Sequence, residues 1–576
     1  MAALALFAGW SLAAGAASPE LAEAAGWRSA LYPEDWTPAF TDAQGRFLHD
    51  FSYAGYHAGE KPLPIKGPEP WVDVTQPPYN ADNTGNEVAT AAIQRAINDV
   101  GRQGGGTVFL PAGTYRLRYP FSGANAAILI AHSNVVLQGE GREKTFLFLD
   151  ETVTRGKFMI KVEPVSGVDL ARPGDGQAQP VRSDVKARER VIPLVGPPRF
   201  SAGDWVIVQY DATPQWIEEH KMSDGWDASV GGPAFIRRVV SVDMDQHTIT
   251  VDIPLRYDVK VRDNARVYKA SRMLEEVGLA DFSVGMRENS KSDGWGSTDW
   301  SRPGTGAYDV HGGYAIAING VVNGWMRNVG TYKPEGNEYA HVHSNAFLFN
   351  QSRSLTVRDV SAANPQYAGG GGNGYGVVVQ TQESLYHNVR AANFGNAFTF
   401  SLQRTSGNVI LGGLAANSSG GSASNFHRNL SMANLVDNLA YDHDRFEARD
   451  RSHAAGAGGF PKHGVTTTQS VFWNNLGIAY RPDAPYIIRS DQFGWGYVIG
   501  TRGPAAAVHA AAASPRTLPG DFVEGVGEGE TLIPRSLYLD QLERRLQREG
   551  KESVWDVMRE ELTLAPVGVM PHGGLD

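Results

Sequence analysis

Asn134-Val135-Val136-Leu137-Gln138-Gly139-Glu140-Gly141 is a short apolar strand closed by a polar, glycine-rich stop, and a set of later strands ends alike. After position 320 the stops recur as Asn328-Val329, Asp359-Val360, Asn388-Val389, Asn438-Leu439 and Asn475-Leu476. Near Gly412 the marker shifts, and Leu414-Ala415-Ala416-Asn417 lines up with Arg390-Ala391-Ala392-Asn393. Successive markers stand 24 to 37 residues apart, about one solenoid coil with loops of variable length. A unit that short cannot bury its apolar face without the next one. The spacing therefore predicts an all-β chain wound as a parallel β-helix.

Composition narrows what such a chain does. With 576 residues, 42% of them hydrophobic, it can bury a large core. Its 66 glycines exceed the average usage of about 7% and suit many tight turns. A net charge of -10 leaves no basic field to hold DNA or RNA. Cysteine is absent, which removes disulfides, thiolate nucleophiles and cysteine-ligated zinc. Chemistry falls to His, Arg, Lys, Tyr and carboxylates.

The first residues, 1–17, are Ala/Leu-rich and end in Ala14-Gly15-Ala16-Ala17, a small-residue site of the signal-peptidase kind. A secreted or periplasmic protein is expected. The positive n-region of a signal peptide is missing, so an N-terminal helix is the alternative reading. No other apolar stretch approaches the roughly 20 residues of a membrane span. Residues 18–70 form an aromatic, Gly- and Pro-rich arm, 71–165 the lead-in with an amphipathic cap helix around Ile93 and Ile97, and 271–510 the coils. Between 166 and 270 irregular strands such as Trp205-Val206-Ile207-Val208 suggest a small inserted β module, with distorted coils as the alternative. In the 511–576 tail, Leu539, Leu542 and Leu546 share one face of a helix placed to close the C-terminal end.

The run from Val72 to Tyr115, with Ala81-Asp82-Asn83-Thr84-Gly85-Asn86 and Gly104-Gly105-Gly106-Thr107-Val108-Phe109-Leu110-Pro111-Ala112-Gly113-Thr114-Tyr115, resembles the opening segment of the pectate-lyase-like superfamily. The resemblance extends to Gly141 and implies a right-handed β-helix acting on polysaccharides, by lyase or hydrolase chemistry or as a non-catalytic tailspike-like binder. The Asn-Thr-Asp, Asp-Asp and Gly-His-Gly signatures of polygalacturonase-like hydrolases are missing, and only Lys462-His463-Gly464 is suggestive. No acidic cluster matches the calcium site of pectate lyases. Asp437, Asp442 and Asp444 are its best remnant, so calcium stays possible but a cofactor-free lyase leads.

A β-helix presents outward side chains in ladders at strand spacing. Eight residues before Asp359, Asn388 and Gly412 lie Gln351, Gln380 and Arg404, expected side by side. An Asn/Gln structural ladder is the plainer reading for Gln351. The following coils are dense in titratable groups: His427-Arg428, Asp442-His443-Asp444-Arg445, His453 and Lys462-His463. Histidine suits proton transfer near neutrality. His427, His443, His463 and Arg404 are expected to be catalytic, and Gln380, Arg428, Gln351, His343 and Asp444 to bind an anionic polymer. In β-elimination a base removes the C5 proton of a uronate whose carboxylate a cation neutralises. Inverting hydrolysis needs two carboxylates roughly 6.5–9.5 Å apart, for which Asp442 and Asp444 are nominated. Glu338, His341 and His343 are a weaker metal-binding alternative. Trp295, Trp300, Trp325, Trp473 and Trp495 either stack on sugars or fill the core. Oligomeric state is not readable from the sequence.

Overall fold

The computed structural model describes residues 26–168, 178–270, 272–419, 422–452, 462–510 and 514–564. The leader at 1–17 and His453 lie outside the described residues. Parallel strands stack coil upon coil from Trp71–Asp73 to Phe522–Glu524. The coils thus pass the 510 boundary read from sequence. One long sheet folds lengthwise at a corner into two faces, for example Leu385–His387 and Arg390–Ala392 of one coil. The third face is a separate parallel sheet running from Ala126–Ile130 to Val508–Ala510.

The strand-stop residues explain the corner. Asp281, Asn328, Asp359, Asn388, Gly412, Asn438, Asn474, Gly500 and Gly525 all have positive φ. Asn, Asp and Gly tolerate this left-handed bend at least cost. Each coil bonds the next there, as where Asn388 Nδ2 donates to Asp359 Oδ1 at 2.5 Å. In the coil marked by Asn475-Leu476 the bend falls on Asn474, one residue before the sequence marker.

Inside, Ile316, Phe347, Val377, Phe398, Phe426 and Phe446 stack in one continuous core. The cap helix, Thr90–Arg102, seats Ile93, Ile97 and Val100 in the same core. A six-stranded antiparallel sheet spans Gln179–Pro180 to Arg266–Lys269 with its own core. It leaves the solenoid at a corner and lies along it, where Gln382 Nε2 donates to the Ala234 carbonyl at 2.6 Å. The C-terminal helices do not close the end of the solenoid. Leu537–Arg548 lies along a side face, where Leu537, Leu542 and Leu546 share a core with Leu31, Trp36 and Phe51 of the arm and with Leu435 and Trp473 of the coils. The reason is capping. Asp437 accepts from Ser536 Oγ and Tyr538 N at that helix's start.

Candidate functional site

On the third sheet, side chains pointing out of the core form a polar row. Asn319 pairs with Asn350 and Asn350 with Gln380. Gln380 and Ser401 follow the paired Val379 and Phe400, and Ser401 pairs with Arg428. Five coils at the strand spacing give a strip about 20 Å long. Arg404 lies beside it, with Nη2 3.4 Å from Asn350 Oδ1.

At the Arg428 end two legs of the chain meet at an antiparallel bridge between Asp450 and Val465, and Arg451 N bonds the Gly464 carbonyl. The legs carry Arg451 and His463. The inserted module holds the second leg, since Trp226 Nε1 donates to the Lys462 carbonyl. A Cβ on Gly464 would lie 2.5 Å from the Trp226 ring nitrogen. The His463 ring sits 4.8 Å from that of His427. Arg451 Nη1 is 2.7 Å from His427 Nδ1 and 3.1 Å from the His427 carbonyl. Tyr375 completes the cluster, with its hydroxyl 3.4 Å from His427 Nε2. Tyr375 follows the run Gly369-Gly370-Gly371-Gly372-Asn373-Gly374, whose Gly371 (φ +79) lies so close to Trp300 that a Cβ would fall 2.3 Å from the indole.

The electrostatics follow from this crowding. Burial, then the nearby Arg451, His463 and Arg428, hold His427 well below the usual imidazole range. Burial, with Arg451 and Arg428, pushes His463 down to about 4. Both rings are neutral at neutral pH. Burial raises the Tyr375 phenol while Arg451 and Arg428 pull the other way. The cluster thus offers two guanidiniums, a neutral imidazole able to accept a proton and a phenol able to give one.

Of the residues singled out from sequence, Gln380, Arg404, His427, Arg428 and His463 come together along this row. Four do not. His443 occupies a left-handed corner that Asn364, Asn393 and Asn417 fill in earlier coils, and its ring bonds Asp442. Asp444 is wholly buried, accepting from Ser418 Oγ and Ser424 Oγ. That separates it from half-buried Asp442 and undoes the proposed carboxylate pair. His343 is wholly buried, its two ring nitrogens engaged by Thr154 Oγ1 and the Arg287 carbonyl. Gln351 turns to donate to the Val168 carbonyl and falls out of register with Gln380. Among the described residues no three His, Asp or Glu side chains converge as metal ligands. Trp473 is fully buried and so unavailable to sugars. Tyr375 and Arg451 were missed, because one follows a glycine run that reads as a turn and the other sits in a loop.

A different cluster lies beside the module, whose Trp205 and Arg238 line the same cleft as His57. Tyr56 Oη donates to Glu276 at 2.5 Å and His57 Nε2 stands 2.7 Å from the same carboxylate. His57 and Glu276 border neighbouring clefts of about 480 and 570 Å³. The row on the third sheet is the better candidate for an anionic polymer, because Gln380, Arg404, His427, Arg428 and His463 gather along it, whereas the Glu276 carboxylate already engages Tyr56 and His57.

Residues 71–208 match the family model described as rhamnogalacturonase A/epimerase, pectate lyase-like. The chain is a parallel β-helix protein with an opening segment of the pectate-lyase-like kind. Among solved structures it is similar to the gp54 tailspike of Acinetobacter baumannii bacteriophage AP22 in complex with capsular saccharide, at 11% identity over 77% of this chain and 67% of that one, TM-score 0.40. It is also similar to ORF18 of Geobacillus virus E2, at 11% identity and TM-score 0.38, covering 77% of this chain and 58% of that one. A third is the A-module of the Azotobacter vinelandii mannuronan C-5 epimerase AlgE6, at 14% identity over 80% of this chain and 99% of that one, TM-score 0.33. No curated protein matches the sequence.

Proposed function

We propose that the protein is a secreted carbohydrate-active enzyme that binds an anionic, uronate-containing polysaccharide along the Asn319-to-Arg428 row and cleaves it by β-elimination. One observation carries the reading: Arg428 and Arg451 converge on two neutral imidazoles and a phenol at the end of a polar strip. The guanidiniums neutralise the uronate carboxylate and so make the C5 proton acidic. His463, unprotonated, accepts that proton. Gln380 and Arg404 hold neighbouring sugars. Hydrolysis is less well supported, because Asp442 and Asp444 do not face one another across a groove. The arginines take the place of a divalent cation, so a chelator should leave turnover unchanged.

The test is a screen of polyuronates and glycosaminoglycans for new ultraviolet absorbance, the mark of a C4–C5 double bond. Reducing ends without absorbance would indicate hydrolysis. Binding without cleavage would indicate a tailspike-like binder. In the responding polymer, Arg404→Ala should weaken binding and its salt dependence with little change in turnover of saturated enzyme.

A further inference from the structure

One hydrogen bond decides the state of His427. A guanidinium only donates, so Arg451 Nη1 at 2.7 Å makes His427 Nδ1 an acceptor. The neutral ring then carries its hydrogen on Nε2, which faces the Tyr375 oxygen at 3.4 Å. Asn425 Oδ1 at 3.3 Å from Nδ1 would ask for the opposite. The shorter contact comes from a group with no acceptor and prevails, and turning the Asn425 amide over presents its NH2 to the ring. Protonating Nδ1 would break the Arg451 bond and add a cation beside Arg428 and Arg451. His427 is therefore not the base. Tyr375 accepts from it, which leaves the phenolic hydrogen to turn toward the groove.

The geometry points to Tyr375 as the catalytic acid that protonates O4 of the departing sugar, with His427 a positioning residue locked by Arg451. This rests on the β-elimination reading. The C5 proton passes to His463 and the C5–H electron pair becomes the C4–C5 double bond. The C4–O4 pair leaves with O4, which takes the proton of Tyr375. Imidazolium and phenolate then exchange that proton, so no co-reactant is consumed. Arg428 and Arg451 stabilise the phenolate as it forms. The backbone holds Tyr375 in place, its N–H donating to Asn345 Oδ1 at 2.9 Å.

Three variants and one spectrum test this. Gln at 427 can accept from Arg451 and donate to Tyr375 but cannot act as a base. His427→Gln should keep turnover within about tenfold of wild type, while His427→Ala and Tyr375→Phe should lose about 10²-fold or more, the usual worth of a positioned acid or base, with polymer binding retained. Equal loss in His427→Gln and His427→Ala, at unchanged thermal stability, overturns the assignment. So does a Tyr375→Phe enzyme within tenfold of wild type. Nitrogen-15 NMR of histidine-labelled protein, assigned with His427→Gln, should show His427 hydrogenated at Nε2 alone from pH 8 down through the ordinary imidazole midpoint near 6.5. Protonation of Nδ1 at that ordinary midpoint overturns the locked state whether or not a substrate is known. Failure of wild type to release unsaturated product from any polyuronate would instead sink the lyase reading, and the acid role with it.

Discussion

Glu383 shows how much one corner residue can carry. It sits at φ 47 in the left-handed region and its carboxylate is wholly buried between two guanidiniums of the inserted module. Arg256 Nη2 and Nε lie at 2.5 and 2.9 Å and Arg237 Nη2 at 3.2 Å. The closer Arg256 claims the carboxylate and is raised above its usual range, whereas burial pushes Arg237 down to about 9. Glu383→Gln keeps the shape but strands two buried cations. It should cost about 3–5 kcal/mol, measured by urea unfolding. His443 predicts the reverse. Because it takes a corner that Asn occupies in three earlier coils, His443→Asn should change stability by no more than a few tenths of a kcal/mol and leave polysaccharide turnover intact. The same residue marks what sequence reading could not reach. His443 and His427 look alike in a basic stretch, and only the φ of the corner separates a turn residue from one facing the groove.

At the scale of the element, the coil is held by polar ladders as well as by its core. Asn434 is buried just after the left-handed Ala433 and bonds two coils at once. Its Oδ1 accepts from Asn408 N and Nδ2, and its Nδ2 donates to the Thr405 and Met432 carbonyls. Asn434→Ala leaves several buried groups unmade at roughly 1–3 kcal/mol each before relaxation. A loss of about 2–4 kcal/mol in urea unfolding is expected, and amide exchange should accelerate both in the Asn408 coil and in the coil of Asn434 itself. Exchange confined to one coil would contradict the ladder. Coil length and corner chemistry were legible in the sequence because they are local: a strand, a stop and the next strand. The site is not local. His427 and Arg428 stand on a strand, Tyr375 two coils before, and Arg451 and His463 on two legs joined at the Asp450–Val465 bridge, the second held by Trp226 of the module. Ladder counting therefore found Gln380 but placed Gln351 one residue out of register, where its own positive φ breaks the count, and gave Arg404 where Ser401 takes the place in the row, while Arg428 was found by the crowding of titratable groups.

Over the whole molecule, buried ionisable groups set the acid limit of the fold. Among the described residues, burial drives His49 to about 3 and His220, His341 and His343 to about 4, against an ordinary 6.5. Above pH 6.5 these rings are neutral folded or unfolded and make no difference to stability. Below it the unfolded chain takes up their protons and the folded chain does not, so stability falls as pH falls. Two carboxylates oppose this. Burial raises Asp437 to about 6 and Asp521 to about 7 from 3.8, so the folded chain binds those protons first and gains stability as pH drops from 7 toward 4. With His463, also held at about 4, and His427, held well below its usual range, these imidazoles outnumber the two carboxylates and leave the unfolded state the net proton binder near pH 5. Stability should therefore fall steeply between pH 6 and 4 and level off above about pH 7, as read from urea midpoints at each pH. Asp521→Asn should steepen that fall, because it removes one of the opposing protons while keeping the side chain's shape. A urea midpoint constant from pH 6.5 to 4.5 would mean that the buried imidazoles are not held neutral by the fold. The proton-accepting role of His463 would then lose its footing too, since the same burial keeps that ring unprotonated.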